Sequence, residues 1–138
     1  MEKTLAIVKP DGVKRGLIGE ILKRYENKGL RLVAAKIITP DTELIGRHYA
    51  EHKEKPFYKG LIKYMTSGPV FAMVLEGENA IKIVRLINGA TKIEDAQPGT
   101  IRGDYATCTT FNLIHGSDSI ENAKKEILLW FPEIIDKF

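Results

Sequence analysis

The chain has a single cysteine, Cys108, in 138 residues, so no intrachain disulfide can form. That thiol reads as a small, half-buried side chain suited to a reducing compartment. No apolar run approaches the roughly 20 residues that a bilayer-spanning helix needs, which leaves no membrane partner to expect. Nor does an apolar signal segment follow Met1: Met1-Glu2-Lys3-Thr4 enters a strand at once. A cytoplasmic location is therefore expected. A dense basic stripe is also missing. The 21 basic and 18 acidic residues are spread along the chain, and the net charge of +3 suits an anionic small molecule better than a nucleic acid. The common phosphate loops are absent as well. Neither G-x-x-x-x-G-K-S/T nor a post-strand G-x-G-x-x-G occurs, and the protein-kinase signatures are missing. Nucleotides, if handled here, are held by another geometry. With no repeat, linker or low-complexity tract, residues 1–138 read as one domain.

What is present is a core-forming sequence, 43% apolar. Thr4–Val8 reads as a strand that stops at the turn signal Lys9-Pro10-Asp11-Gly12. Leu17, Ile18, Ile21, Leu22 and Tyr25 recur at helical spacing up to Gly29. Leu32–Ile38 is a second strand, and Asp41 caps a helix running to about Tyr49. Beyond Pro56, Leu61, Ile62, Tyr64 and Met65 mark a short helix. Val70–Leu75 is apolar throughout and reads as a central strand. Ala80, Ile81, Val84 and Ile87 form a helical stripe ending at Gly89. Residues 89–111 read as a long loop, a length that is commonly functional. Asn112–His115 is the fourth strand. Ile120–Phe131 is the last helix, with Asp118 and Glu121 as a capping box and an apolar stripe through Ile120, Ala123, Ile127 and Trp130. The paired β-α-β units predict an α/β sandwich of the split-βαβ, ferredoxin-like kind. Periodicity alone leaves a small parallel sheet open.

The most informative stretch is Asn112-Leu113-Ile114-His115-Gly116-Ser117-Asp118-Ser119. It sets a histidine at a strand end, directly before a helix start whose N–H groups attract anions. An imidazole there can act as nucleophile or base toward phosphate. Lys9 ends the first strand. Arg85 lies near a helix C-terminus, where the helix dipole alone would also account for it. Thr91 and Arg102 lie in the long loop, and Asn112 stands three residues before His115. Three cations, an amide and a hydroxyl suit a polyphosphate. Two rivals compete. His48-Tyr49-Ala50-Glu51-His52 matches the zinc pattern H-x-x-E-H, in which histidines four apart share a helix face. The pattern is short and a peptidase would also need a third ligand and a substrate cleft, so a solvated helix face is the favoured reading. Arg102-Gly103-Asp104-Tyr105 begins like an RNA-binding strand motif but has aspartate where an aromatic is required. Phe57, after Pro56, either stacks on a base or packs in the core, where large aromatics usually go.

Lys9-Pro10-Asp11-Gly12-Val13, Ser67-Gly68-Pro69-Val70, Pro98-Gly99-Thr100-Ile101-Arg102-Gly103-Asp104 and the His115 segment together closely resemble nucleoside diphosphate kinase, over about Thr4 to Phe131. The resemblance implies the ferredoxin-like fold with a four-stranded antiparallel sheet. It also implies transfer of a γ-phosphoryl group from ATP or another nucleoside triphosphate to a nucleoside diphosphate, through a histidine that His115 matches. Lys9, Arg85, Thr91, Arg102 and Asn112 match residues that hold phosphates and ribose. Phe57 matches the aromatic that stacks on the base, and Leu61 its apolar neighbour. Tyr49 and Glu126 match residues flanking the histidine, with Ser117 beside it. Magnesium is implied as carried by the nucleotide phosphates, with no protein metal cage. A homo-oligomer is implied, a hexamer in preference to a tetramer. The chain departs from the family at Ile93, where proline is usual. A loop proline restricts the unfolded chain, so Ile93→Pro is expected to stabilise by about 0.4–1 kcal/mol.

Overall fold

The structure is a computed structural model that describes residues 1–137, with side chains through Ile134. Phe138, the end of the expected domain, lies outside the described residues. Four strands form the sheet: β1 (Glu2–Val8), β2 (Arg31–Ile38), β3 (Val70–Gly77) and β4 (Ile114–Gly116). Their order is β2-β3-β1-β4 and every pairing is antiparallel. This is the ferredoxin-like arrangement, and it removes the parallel alternative. The central strands β1 and β3 are apolar on both faces because helices cover both. On one face Ala6, Val8, Met73 and Leu75 meet α2 (Ile18–Asn27), α5 (Ala80–Asn88) and α6 (Ile101–Tyr105). On the other Leu5, Ile7, Ala72 and Val74 meet α3 (Thr42–His48), α4 (Tyr58–Met65) and α7 (Ile120–Trp130). Arg102-Gly103-Asp104-Tyr105 lies in α6 rather than on a strand, so it cannot present a base-stacking strand motif, and the face left exposed on β2 carries no aromatic ring. The RNA reading therefore fails.

Several local expectations are corrected. Lys9-Pro10-Asp11-Gly12 is no simple turn: Pro10–Lys14 is a short helix, α1, with proline at its first position, where a missing N–H costs nothing. The fourth strand begins at Ile114 because Leu113 has φ +74°, outside the extended region. The cap of α7 is Ser119, whose Oγ accepts from Asn122 N at 3.0 Å. Asp118 instead accepts from the Asn122 side chain at 2.6 Å. Ile120 is 56% exposed and leaves the buried stripe to Ala123, Ile127 and Trp130. Asp41 does cap α3, accepting from Leu44 N at 2.8 Å.

The long loop is also ordered internally. It holds a 3₁₀ turn over Ile93–Asp95, and α6 is capped by Thr100, whose Oγ1 accepts from Gly103 N at 3.0 Å. A Cβ at Gly103 would stand 1.9 Å from the Gln97 carbonyl oxygen, so only glycine lets the loop close this tightly. Ile93 N donates to Thr109 Oγ1 at 3.2 Å, and its side chain packs against the core. That bond overturns the expected benefit of proline. Ile93→Pro forfeits a hydrogen bond of about 0.5–1.5 kcal/mol and an apolar contact, against an entropic gain of about 0.4–1 kcal/mol. Urea unfolding should show the proline variant less stable by roughly 0.5–1 kcal/mol. A higher midpoint would mean that the Thr109 bond contributes nothing.

Candidate active site

β4 pairs with β1 so that His115 lies opposite Ile7. Paired residues share a sheet face. His115 therefore points toward α3 and α7, and Ile114 toward the other core. Glu126, on α7, meets it: His115 Nε2 lies 2.8 Å from Glu126 Oε1. Ser117 Oγ donates to the same oxygen at 2.7 Å. With Nε2 held, Nδ1 is the nitrogen left for chemistry. The ring is further wedged by His48, edge-on at 4.6 Å between centroids. His48 Nδ1 accepts from Trp130 Nε1 at 3.0 Å. Burial, then the nearby His115, Lys9 and His52, hold the His48 imidazole well below its ordinary pKa, hence neutral.

The lead-in to β4 is fastened from two sides. Arg102, buried in α6, donates Nε to Asn112 O at 3.2 Å, Nη1 to Gly89 O at 2.7 Å and Nη2 to Ile114 O. On the other side Lys9 N donates to Leu113 O at 2.8 Å, and Lys9 Nζ donates to Asn112 Oδ1 at 2.8 Å. Burial and the adjacent Arg102 lower the Lys9 ammonium to about 8, while Asp11 opposes them. Leu113 carries a left-handed backbone that costs about 1–2 kcal/mol in a non-glycine residue, and it is fully buried. These bonds hold it there.

A cleft of about 1300 Å³ opens over this centre. Lys9, Tyr49, Phe57, Leu61, Arg85, Thr91, Arg102, Asn112, His115 and Glu126 all line it. Ser117 is fully buried and reaches the cleft only through its bond to Glu126. Phe57 is 54% exposed at the cleft wall, with His52 behind it at 5.4 Å between rings, so it is not core. Arg85 Nη1 donates to Gly116 O at 3.3 Å. The phosphate-binding set expected from sequence is thus brought together.

The zinc motif is not. α3 ends at His48, Tyr49 is its C-cap, and Glu51 and His52 fall in a 3₁₀ turn, so the two histidines share no helix face. Among the described residues the one group with metal-ligand spacing is His48, His115 and Glu126, whose ligand atoms lie within 4.8 Å of one another. Two of those three are already bonded to each other, and Trp130 occupies one nitrogen of the third.

The family model for nucleoside diphosphate kinase matches residues 2–134. The chain belongs to the nucleoside diphosphate kinase family. It is 80% identical over 134 residues to the nucleoside diphosphate kinase of Thermoanaerobacter pseudethanolicus, covering 97% of this chain and 99% of that one. It is 55% identical over 137 residues to the Gallus gallus enzyme, covering 98% and 90%. The Encephalitozoon cuniculi nucleoside diphosphate kinase structure superposes with a TM-score of 0.95 at 45% identity, covering 98% of this chain and 92% of that chain. That of Halobacterium salinarum, in complex with CDP, gives 0.91 at 55% identity, covering 94% and 87%. The reaction of a nucleoside diphosphate kinase is phosphoryl transfer between nucleotides through a catalytic histidine.

Sequence reasoning missed His48 as a neighbour of His115 and Trp130 as the anchor of His48. One signal was available: Glu126 and Trp130 are four apart on α7 and share its inner face. The Arg102 fastening has its own test. Lysine cannot fork to three carbonyl oxygens. Arg102→Lys should therefore lower stability by roughly 2–3 kcal/mol in urea unfolding. An unchanged midpoint would show that the guanidinium does not hold the strand.

Proposed function

We propose that His115 is the phosphoryl-carrying residue and that the cleft serves donor and acceptor nucleotides in turn. The observation that carries this is the His115 Nε2–Glu126 bond, which leaves Nδ1 as the free lone pair at the cleft. Nδ1 attacks the γ-phosphorus, the N–P bond forms, and the bond to the bridging oxygen breaks to release the diphosphate. The second diphosphate attacks the same phosphorus through its terminal oxygen and the N–P bond breaks. This is covalent catalysis with ping-pong kinetics. Glu126 stabilises the ring as positive charge develops on it, and Ser117 orients Glu126. Lys9, Arg85, Arg102 and the Asn112 amide supply charge and hydrogen bonds for the phosphates, with Thr91 adding a hydroxyl and Tyr49 flanking the nucleophile.

Magnesium enters on the nucleotide. A hard cation takes oxygen ligands, and the phosphate end of the cleft offers mainly cations and an amide. The donor set thus fits a metal carried on phosphate oxygens, where it offsets their charge. Phe57 and Leu61 form an apolar shelf for the base. The Halobacterium salinarum relative holds CDP, which supports acceptance of a pyrimidine here. The family match over residues 2–134 supports one catalytic domain spanning 1–138. Exposed Ile37 on edge strand β2, with Leu86 on α5, supports subunit contacts, and the family resemblance favours a hexamer over a tetramer. No helix among the described residues is long and apolar enough to cross a membrane. With one cysteine, this supports a cytoplasmic site.

Mixing the protein with γ-labelled ATP should leave label on His115, and added GDP should discharge it. His115→Ala should take up no label while retaining the fold by circular dichroism. A normal phosphoenzyme yield in that variant would falsify the assignment. His48 and His52 variants should still be labelled, which a zinc hydrolase would not be.

The shelf also predicts base indifference. Stacking accepts every base at roughly 1–3 kcal/mol each. Phe57→Ala should raise KM for purine and pyrimidine diphosphates alike by roughly 5- to 100-fold, with kcat changed less. A loss confined to one base class would require hydrogen-bond readout and would sink the shelf model.

A further inference from the structure

One acidic side chain at the rim of the centre has no place in the mechanism above. Asp11 is the second residue of α1, two positions after Lys9. Its Oδ1 accepts from the Tyr64 hydroxyl of α4. Its Oδ2 accepts from Leu113 N at 3.2 Å. Leu113 is the left-handed residue directly before the catalytic strand, and its carbonyl accepts from Lys9 N at 2.8 Å. Both backbone polar groups of Leu113 are therefore satisfied by the segment Lys9–Asp11. Gly12 makes this approach possible: a Cβ there would lie 2.7 Å from Val8 Cγ1 and 3.2 Å from Leu113 O. α4 follows Phe57 directly and carries Leu61, so one carboxylate bridges the base shelf and the strand that bears the nucleophile.

We infer that Asp11 is a positioning residue for phosphoryl transfer: its carboxylate ties α4 to the lead-in of the catalytic strand and supplies the anion that balances Lys9. Lys9 is surrounded mainly by positive or neutral groups. Arg102 faces it from α6, His48 from α3 and Asn112 through its amide oxygen. His115 of β4 lines the same cleft, and Glu126 of α7 is bonded to His115. Asp11 is the acid that offsets this charge, and it pulls the Lys9 ammonium upward against burial and Arg102. Two effects should then be separable. The hydrogen bond to Leu113 needs only an oxygen acceptor at position 11. The support of Lys9 needs a negative charge.

This inference rests on the phosphohistidine reading, and label uptake by the unaltered protein tests that reading alone. The further experiment measures kcat and kcat/KM against pH for the unaltered protein, Asp11→Ala, Asp11→Asn and Tyr64→Phe. Asp11→Ala should lower kcat by about ten- to a hundredfold, the loss expected when a charged acceptor is removed from a part-buried site, with KM changed less. Asp11→Asn should recover most of that loss, because its amide oxygen still accepts from Leu113 N. In both neutral variants the alkaline limb of kcat/KM should move to lower pH by about 0.5 or more, because Lys9 loses its proton sooner. Tyr64→Phe keeps the charge, so its alkaline limb should stay where the unaltered protein has it. A purely structural defect lowers the amount of active enzyme and its melting temperature without moving that limb. If Asp11→Ala does not fold, Asp11→Asn still tests the limb. The inference is overturned if the limb stays in place in the neutral variants that fold, or if Asp11→Asn is as slow as Asp11→Ala. If the unaltered protein takes no label from γ-labelled ATP, the underlying reading fails instead.

Discussion

The site depends on how a three-residue strand is held in place. β4 covers only Ile114–Gly116, on the edge of the sheet beside β1. A strand that short gains little from its own ladder, and the residue before it has a backbone that most side chains avoid. Its position is therefore imposed from outside. Arg102 grips carbonyl oxygens of Gly89, Asn112 and Ile114, and the Lys9–Asp11 segment closes on Leu113. The cost of burying a guanidinium is offset because its N–H groups find carbonyl partners. One arginine thereby joins the end of α5, the long loop and the catalytic strand.

The same fastening concentrates positive charge. Lys9 and Arg102 are both largely buried and adjacent, and burial pushes each guanidinium or ammonium toward its neutral form. Such an arrangement is poor for stability without an anion. It is good for a polyphosphate, whose binding relieves the repulsion. His48 completes the pattern by staying neutral beside His115, so His115 meets no further cation on that side. Asp11 offsets part of this repulsion, and on the proposed reading the phosphates of a bound nucleotide would offset the rest.

Much of this was legible in the sequence. Strand and helix periods gave four strands and the main helices, because apolar spacing reports burial directly. The histidine at a strand end and the scattered cations were visible as types, though their convergence needed the family resemblance. Other features were not readable, for physical reasons. Lys9-Pro10-Asp11-Gly12 suits a turn or a helix start equally, and only packing of α1 against Leu113 decides between them. Asp118 and Ser119 are both good caps, and it is Ser119 whose Oγ reaches Asn122 N, while Asp118 is drawn to the Asn122 side chain. The H-x-x-E-H pattern presumes a continuous helix, which α3 does not supply past His48. Ile93 could not be judged without knowing that Thr109 lies over its N–H.

One cleft with one nucleophile also constrains recognition. Donor and acceptor cannot be bound together if each must present its phosphates to His115, so they alternate and share the same contacts. Any group that read the edge of one base would penalise the other partner whenever the two bases differ. The geometry follows that constraint. Polar groups cluster around Lys9, Arg85, Arg102 and Asn112, where the proposed reading puts the phosphates that every nucleotide has in common. The base end offers Phe57, more than half exposed and backed by the His52 ring, with Leu61 beside it. An aromatic left in water is a cost to the free protein that a packed core residue would not incur. On the proposed reading, that exposed face is what an unselective base site would require.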